Sequence, residues 1–179
     1  MEVRASLARE SLVPFRVDVL INNAGILRDK SFAKMNDAEW EAVQRVHLRG
    51  TFKMCKAVWP VMLAQKYGRI LNTSSAVGLY GNFGQANYSA AKAGILGLTF
   101  SLAQEGSRHG ILVNCIAPNA GTAMTATILP PEVVAMLKPD FVAPWAAMLC
   151  HETCQESGGV WEVGSGWMAR VRWQRAEGV

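Results

Sequence analysis

The chain has 179 residues, half of them hydrophobic and 18% charged, with a formal net charge of +4. This is one domain's length, apolar enough to bury a core. Acidic residues are mixed among the basic ones, so nothing forms the clustered footprint of a nucleic-acid binder, and the longest apolar run, Phe141 to Cys150, contains a proline and is too short to span a bilayer.

Residues 1–16 form an atypical N-terminal segment. Arg4, Arg9 and Arg16 stand there with Glu2 and Glu10, which is neither a signal nor a transit peptide. Val17-Asp18-Val19-Leu20-Ile21 is short, β-branched and followed by Asn22-Asn23-Ala24-Gly25, a buried strand running into a turn. Asn36 or Asp37 caps a long helix. Trp40, Val43, His47, Gly50, Met54, Val58 and Met62 recur on it at steps of three and four, one buried stripe, and Pro60 is expected to kink or divide it.

Gly68 stops that helix, and Arg69 to Thr73 makes a second strand. A loop rich in Ser, Gly and Asn spans 74–87, then a helix from about Tyr88 to His109, whose Ala90, Ala91, Ala93, Gly94 and Gly97 permit close approach by a neighbour. Ile111 to Ile116 is a third strand. Pro118 to Pro131 reads as irregular loop, Pro139 to Cys150 as a short helix, and Val160 to Val163 as a fourth strand before a glycine-rich end. Alternating helices and continuously apolar strands describe an α/β fold with a parallel sheet covered on both faces.

Cys55, Cys115, Cys150 and Cys154 have no disulfide-framework spacing, which suits a reducing compartment. Cys150-His151-Glu152-Thr153-Cys154 lacks a second Cys/His pair, so no metal site is expected.

Tyr88 and Lys92 stand four apart and project from one helix face. A free phenol is only about one part in a thousand ionised at neutral pH. An ammonium beside it favours the phenolate and makes Tyr88 a proton donor or acceptor. Alone, that pair arises often by chance. Ser75 lies thirteen residues upstream at the carboxyl end of the preceding strand, the edge at which parallel α/β sheets bind ligands. Asn23, Ala24 and Gly25 end one neighbouring strand there, and Pro118, Gly121 and Thr122 follow another.

Asn22-Asn23-Ala24-Gly25, Ser75 with Tyr88-Ser89-Ala90-Ala91-Lys92, and Asn114-Cys115-Ile116-Ala117-Pro118 together resemble the short-chain dehydrogenase/reductase family, in order and spacing, from about residue 16 to residue 166. Asn23 to Asp29, Tyr80 to Tyr88 and Trp167 to Arg175 resemble more narrowly the branch that oxidises (3R)-3-hydroxyacyl-CoA to 3-ketoacyl-CoA in peroxisomal β-oxidation. The resemblance implies that Tyr88 is the general base and that Lys92 lowers its pKa and holds the nicotinamide ribose. Ser75 would hydrogen-bond the reacting oxygen. Asn23, Ala24 and Gly25 would lie on the adenosine side of the cofactor, and Pro118, Ala120, Gly121 and Thr122 on the nicotinamide side. His47 stands where many members place a relay asparagine, although it reads equally as a core residue of the buried stripe; Asn119 replaces a common glycine.

NAD is the implied cofactor, with NADP left open, and an acyl-CoA the implied substrate. The implied partner is a second copy, bound through the helices at 37–66 and 88–109. The implied location is the peroxisome, although the chain ends Ala176-Glu177-Gly178-Val179 without an SKL-type address.

No TGxxxGxG-like segment occurs, and only about sixteen residues precede the strand at 17–21. The fold class expected is therefore a partial Rossmann-type, doubly wound parallel sheet that lacks the N-terminal strands and their glycine-rich turn. Residues 17–179 would be the C-terminal two-thirds of the domain, with strands 4-5-6-7 of a sheet ordered 3-2-1-4-5-6-7. Strand 17–21 then becomes an edge. A generic ketoreductase and a non-catalytic product that pairs with full-length subunits are the alternatives.

Overall fold

In a computed structural model, residues 15–120 and 130–178 are described. Five strands form one sheet in chain order: β1 Val19–Asn22, β2 Gly68–Thr73, β3 Ile111–Pro118, β4 Val160–Gly164 and β5 Trp167–Val171. The first four are parallel, with Val19 opposite Arg69, Gly68 opposite Ile111 and Cys115 opposite Val160. β5 returns antiparallel to β4, Gly164 pairing Trp167. The glycine-rich end expected after the fourth strand is thus a hairpin turn. Ser165 and Gly166 both take positive φ, 49° and 75°, as a two-residue hairpin loop compatible with strand twist requires.

Helix α1 spans Asp37–Gln44, a π turn Arg45–Arg49 follows, and α2 runs Gly50–Gln65. Asn36 is the cap: it accepts from the Glu39 amide at 2.9 Å while the Glu39 carboxylate accepts from the Asn36 amide at 3.1 Å, a capping box that satisfies two otherwise unpaired donors. Pro60 does not divide the helix. It sits inside α2, and the irregularity lies upstream at the π turn, which carries His47. Then come α3 Ala76–Tyr80, α4 Ala86–Gly106, α5 Pro131–Met136 and α6 Ala143–Cys150. The segment 74–87 therefore contains a short helix where a loop was expected.

Helices α2 and α4 cover one face of the sheet, where Leu20, Ile70 and Val113 meet Cys55, Met62 and Ala103. Helix α6 covers the other, with Leu149 against Leu71, Ile116 and Val163. The close approach expected of α4 is made at Gly94, where a Cβ would lie 2.8 Å from Leu48 Cδ2. It is made again across Gly78 of α3, whose Cβ would stand 2.7 Å from Lys92 Cβ. β2 is buried throughout, whereas on β1, at the sheet edge, Val19 and Ile21 remain 41% and 50% exposed.

Arg69 is buried with no carboxylate beside it among the described residues. Its guanidinium donates to the carbonyls of Gly68 (3.0 Å) and Glu152 (3.0 Å), and more distantly to His151 (3.4 Å), and it stacks 4.5 Å over the Tyr67 ring. These bonds tie the segment after α6 to the start of β2. Arg69→Met keeps the apolar stem but leaves those buried carbonyls unpaired, so it should cost about 2–3 kcal/mol. Urea denaturation checks this; a loss below about 0.5 kcal/mol would show that the clamp is dispensable.

Candidate active site

The carboxyl ends of three parallel strands converge on one cleft of about 390 Å³. Asn23 and Gly25 come from the turn after β1. Thr73, Ser74 and Ser75 come from the end of β2, and Pro118, Asn119 and Ala120 from the end of β3 and beyond. Helix α4 adds Tyr88 and Lys92, and the π turn adds His47. Ala24 is the exception. It faces a neighbouring groove with Ile21 and Met54, which Asn23 lines as well. Gly121 and Thr122 lie outside the described residues. A larger hollow, about 770 Å³ between α6 and the β4–β5 hairpin, holds none of these groups.

Ser75 is fixed as the N-cap of α3, its hydroxyl accepting from the Val77 amide at 3.2 Å. Helix α3 is in turn held on α4: Ser74 Oγ donates to the Lys92 carbonyl (2.9 Å) and Ser89 Oγ to the Val77 carbonyl (3.0 Å). The hydroxyl of Ser75 and the helix bearing Tyr88 and Lys92 are therefore parts of one hydrogen-bonded unit. The sequence shows the serine, the tyrosine and the lysine, but not the short helix that sets the spacing between them.

Lys92 is 3% exposed, and its Nζ donates to the Thr73 carbonyl at 2.6 Å. It stands 5.5 Å from the centroid of the Tyr88 ring. Burial pulls this ammonium down to about 8. Burial pushes the Tyr88 phenol above its ordinary value, Ser75 as a hydrogen-bond partner pulls it down, and the Asp29 carboxylate adds to the raising. The lowering expected from Lys92 is not what this arrangement displays. The group that offsets burial at Tyr88 is Ser75, while the ammonium is turned to a backbone carbonyl. Thr73 is the residue the sequence reading missed; a main-chain acceptor leaves no side-chain signal.

His47 is 2% exposed, and its ring meets that of Tyr88 edge-on, centroids 5.1 Å apart. Burial holds its pKa below the usual value, with the hydrogen bond to Ile26 opposing and Lys92 adding to the lowering. Among the described residues no three metal-ligating side chains come together, and no helix is long and apolar enough to cross a membrane.

A parallel sheet with Ser75, Tyr88 and Lys92 gathered at its strand ends is the arrangement of a dehydrogenase that handles a hydroxyl proton. The short chain dehydrogenase profile matches residues 6–132, and the chain belongs to that family. It is 55% identical over 179 residues to the mouse peroxisomal multifunctional enzyme type 2, covering 99% of this chain and 24% of that protein. It is 59% identical over 165 residues to the peroxisomal hydratase-dehydrogenase-epimerase of Neurospora crassa, covering 91% and 18%. The solved structure of the full-length peroxisomal multifunctional enzyme type 2 from Drosophila melanogaster superposes with a TM-score of 0.81 at 46% identity, over 89% of this chain and 29% of that one. The chain thus spans about a quarter of the length of these relatives.

Proposed function

We propose that this chain supplies the catalytic part of a dehydrogenase that oxidises (3R)-3-hydroxyacyl-CoA to 3-ketoacyl-CoA with NAD. The observation that carries the reading is the gathering of Ser75, Tyr88 and Lys92 in one cleft at the strand ends, with Lys92 Nζ 5.5 Å from the Tyr88 ring centroid. The names of the relatives favour a peroxisomal enzyme.

The chemistry divides cleanly. NAD, when bound, would supply the acceptor for the hydride of the carbinol carbon. The chain manages the proton: Tyr88 Oη takes it from the substrate hydroxyl as the C–O bond becomes a carbonyl, and Ser75 Oγ donates to that oxygen. As the ketone forms, the proton is left on Tyr88 Oη. The Lys92 ammonium suits the ribose oxygens at the nicotinamide end of a dinucleotide, and Pro118, Asn119 and Ala120 line the side of the cleft assigned to the ring. Asn23 and Gly25 are assigned to the adenosine side. Asn23 is already oriented, its Oδ1 accepting from Thr73 Oγ1 at 3.2 Å.

A homodimer through α1–α2 and α4 is part of this reading. Phe52 is 50% exposed on that face, and with Trp59, Leu98 and Leu102 it lines a shallow groove between the helices. Contiguous exposed apolar surface of this kind suits a protein partner.

Substrate class is tested by joining the chain to an upstream strand, glycine-rich turn and helix and offering the two enantiomers of a 3-hydroxyacyl-CoA with NAD. Clear preference for (3R) is expected. Equal rates, or preference for (3S), would leave a generic ketoreductase in its place.

A further inference from the structure

Helix α4 carries Tyr88 in its first turn, and that turn lacks the usual support. Its N-cap residue, Gln85, makes no side-chain bond to the helix. The Gln85 amide is engaged elsewhere, donating to the Asp29 carboxylate at 2.9 Å and accepting from Asn82 Nδ2 at 2.8 Å. A helix start without a cap leaves main-chain N–H groups to be satisfied some other way. Asn87 does this from inside the turn, its Oδ1 accepting from the Tyr88 amide at 2.7 Å.

The same side chain reaches two further elements. Asn87 Nδ2 donates to the Arg28 carbonyl at 3.0 Å, in the segment after β1, and to the Glu39 carbonyl at 3.2 Å, in α1. The Asn87 carbonyl accepts from Gln44 Nε2 at 2.8 Å, at the end of α1. The residue is fully buried. One N–H that can only donate and two carbonyls that can only accept together call for an amide. A carboxylate of the same shape would set its lone pairs against both carbonyls, and an apolar side chain would leave all three groups unpaired in the interior. Asparagine is a poor helix former; its place here is set by tertiary partners.

Tyr88 thus stands between two ties. Ser89, on one side, bonds α3 through the Val77 carbonyl; Asn87, on the other, bonds α1 and the segment after β1. Lys92, one turn further on, has anchors of its own in the Thr73 carbonyl and the Ser74 hydroxyl.

We propose that Asn87 is a positioning residue: its amide fixes the first turn of α4 to α1 and to the segment after β1, and so sets where Tyr88 Oη meets the substrate hydroxyl. The proposal rests on the reading of Tyr88 as the acid–base group. The phenol oxygen lies at the far end of a long side chain, so a small tilt of this turn is magnified there. A displacement of about 1 Å between reacting groups costs on the order of 10²-fold in rate. Lys92 keeps its anchors, so cofactor binding should not feel the change.

The experiment is a double-mutant cycle in the chain joined to its nucleotide-binding front: the parent, Asn87→Ala, Tyr88→Phe and the two together. Asn87→Ala should lower kcat about 10²-fold, with NAD affinity by calorimetry within about twofold of the parent. In the Tyr88→Phe background the phenol is gone and there is nothing left to position. There the same substitution should change the residual rate, read in single turnovers at high enzyme concentration, by less than about twofold. In the 179-residue chain, NMR should show Tyr88 amide exchange about tenfold faster in Asn87→Ala, as expected for one hydrogen bond lost. If alanine prevents folding, Asn87→Ser, whose hydroxyl keeps one donor and an acceptor, carries the same cycle with a loss of about tenfold.

Equal losses in the two backgrounds would overturn the proposal, since Asn87 would then act on the fold or the cofactor site rather than through the phenol. Parent-like kcat in Asn87→Ala would overturn it as well. Undiminished turnover in Tyr88→Phe alone would instead remove the acid–base reading of Tyr88, and the exchange data would still report whether Asn87 holds the turn.

Discussion

Tyr88→Phe should abolish turnover of the joined module while leaving NAD affinity within about twofold of the parent. The substitution removes one oxygen and nothing else of consequence. The ring of Tyr88 packs edge-on to His47, a contact that phenylalanine keeps, and the adjacent helix start depends on the Asn87 side chain, whose Oδ1 accepts from the Tyr88 amide at 2.7 Å. Loss of a positioned acid–base group costs about 10²–10⁴ in rate, and with no second phenol among the described residues of the cleft the upper end is expected. Steady-state kinetics for the rate and calorimetry for NAD check both halves. Turnover within about a factor of two of the parent would defeat the assignment.

The direction of the phenol's shift shapes the pH profile. Burial holds Tyr88 above its ordinary value, and Ser75 is the group that pulls it back. Proton abstraction by Tyr88 needs the phenolate, so activity in the oxidative direction should climb with pH into the alkaline range. Removing the Ser75 hydroxyl takes away the lowering contribution and displaces that climb upward. The serine thereby acts twice, on the reacting oxygen and on its neighbour's proton affinity.

Much of this site was legible in the sequence because its side chains announce themselves. Ser75, Tyr88 and Lys92 are polar residues at the end of a strand and on one helix face, and periodicity alone brings them to a common edge. The hairpin strand β5 was not legible. Its turn, Gly164-Ser165-Gly166, reads only as a glycine-rich end, and Arg170 dilutes the apolar pattern of a strand paired on one side only. Helix α3 was hidden for another reason. Five residues containing Gly78 have low helix propensity, and what forms them is tertiary: Ser75 caps the first turn and Gly78 lets it lie on Lys92. The π turn and the acceptors for Lys92 and His47 are backbone features. No residue type encodes a carbonyl that happens to face a cleft.

Lys92 yields the second large effect, and it appears in stability as well as in catalysis. Lys92→Met should weaken NAD and with it remove most activity, since the ammonium is assigned to the ribose. It should also change how stability depends on pH. The folded value of about 8 lies below the ordinary 10.5. Between those limits the unfolded chain holds a proton that the folded chain has released, so rising pH favours folding across that window. Below about pH 8 both states carry the charge and its burial penalty is at full strength. The buried thiols oppose this, since burial pushes Cys55 up to about 11 and Cys115 up to about 12. Folded protein keeps those protons above pH 9 while the unfolded chain loses them, which lowers stability there. Both thiols remain in Lys92→Met, so the difference between parent and variant isolates the lysine. Parent stability relative to the variant should rise by on the order of 2–3 kcal/mol between about pH 8 and pH 10.5. Urea denaturation at a series of pH values measures it. Parallel curves for the two proteins would mean that the ammonium is not buried against Thr73 as described, and the donor assigned to the ribose would have to be sought elsewhere in the cleft.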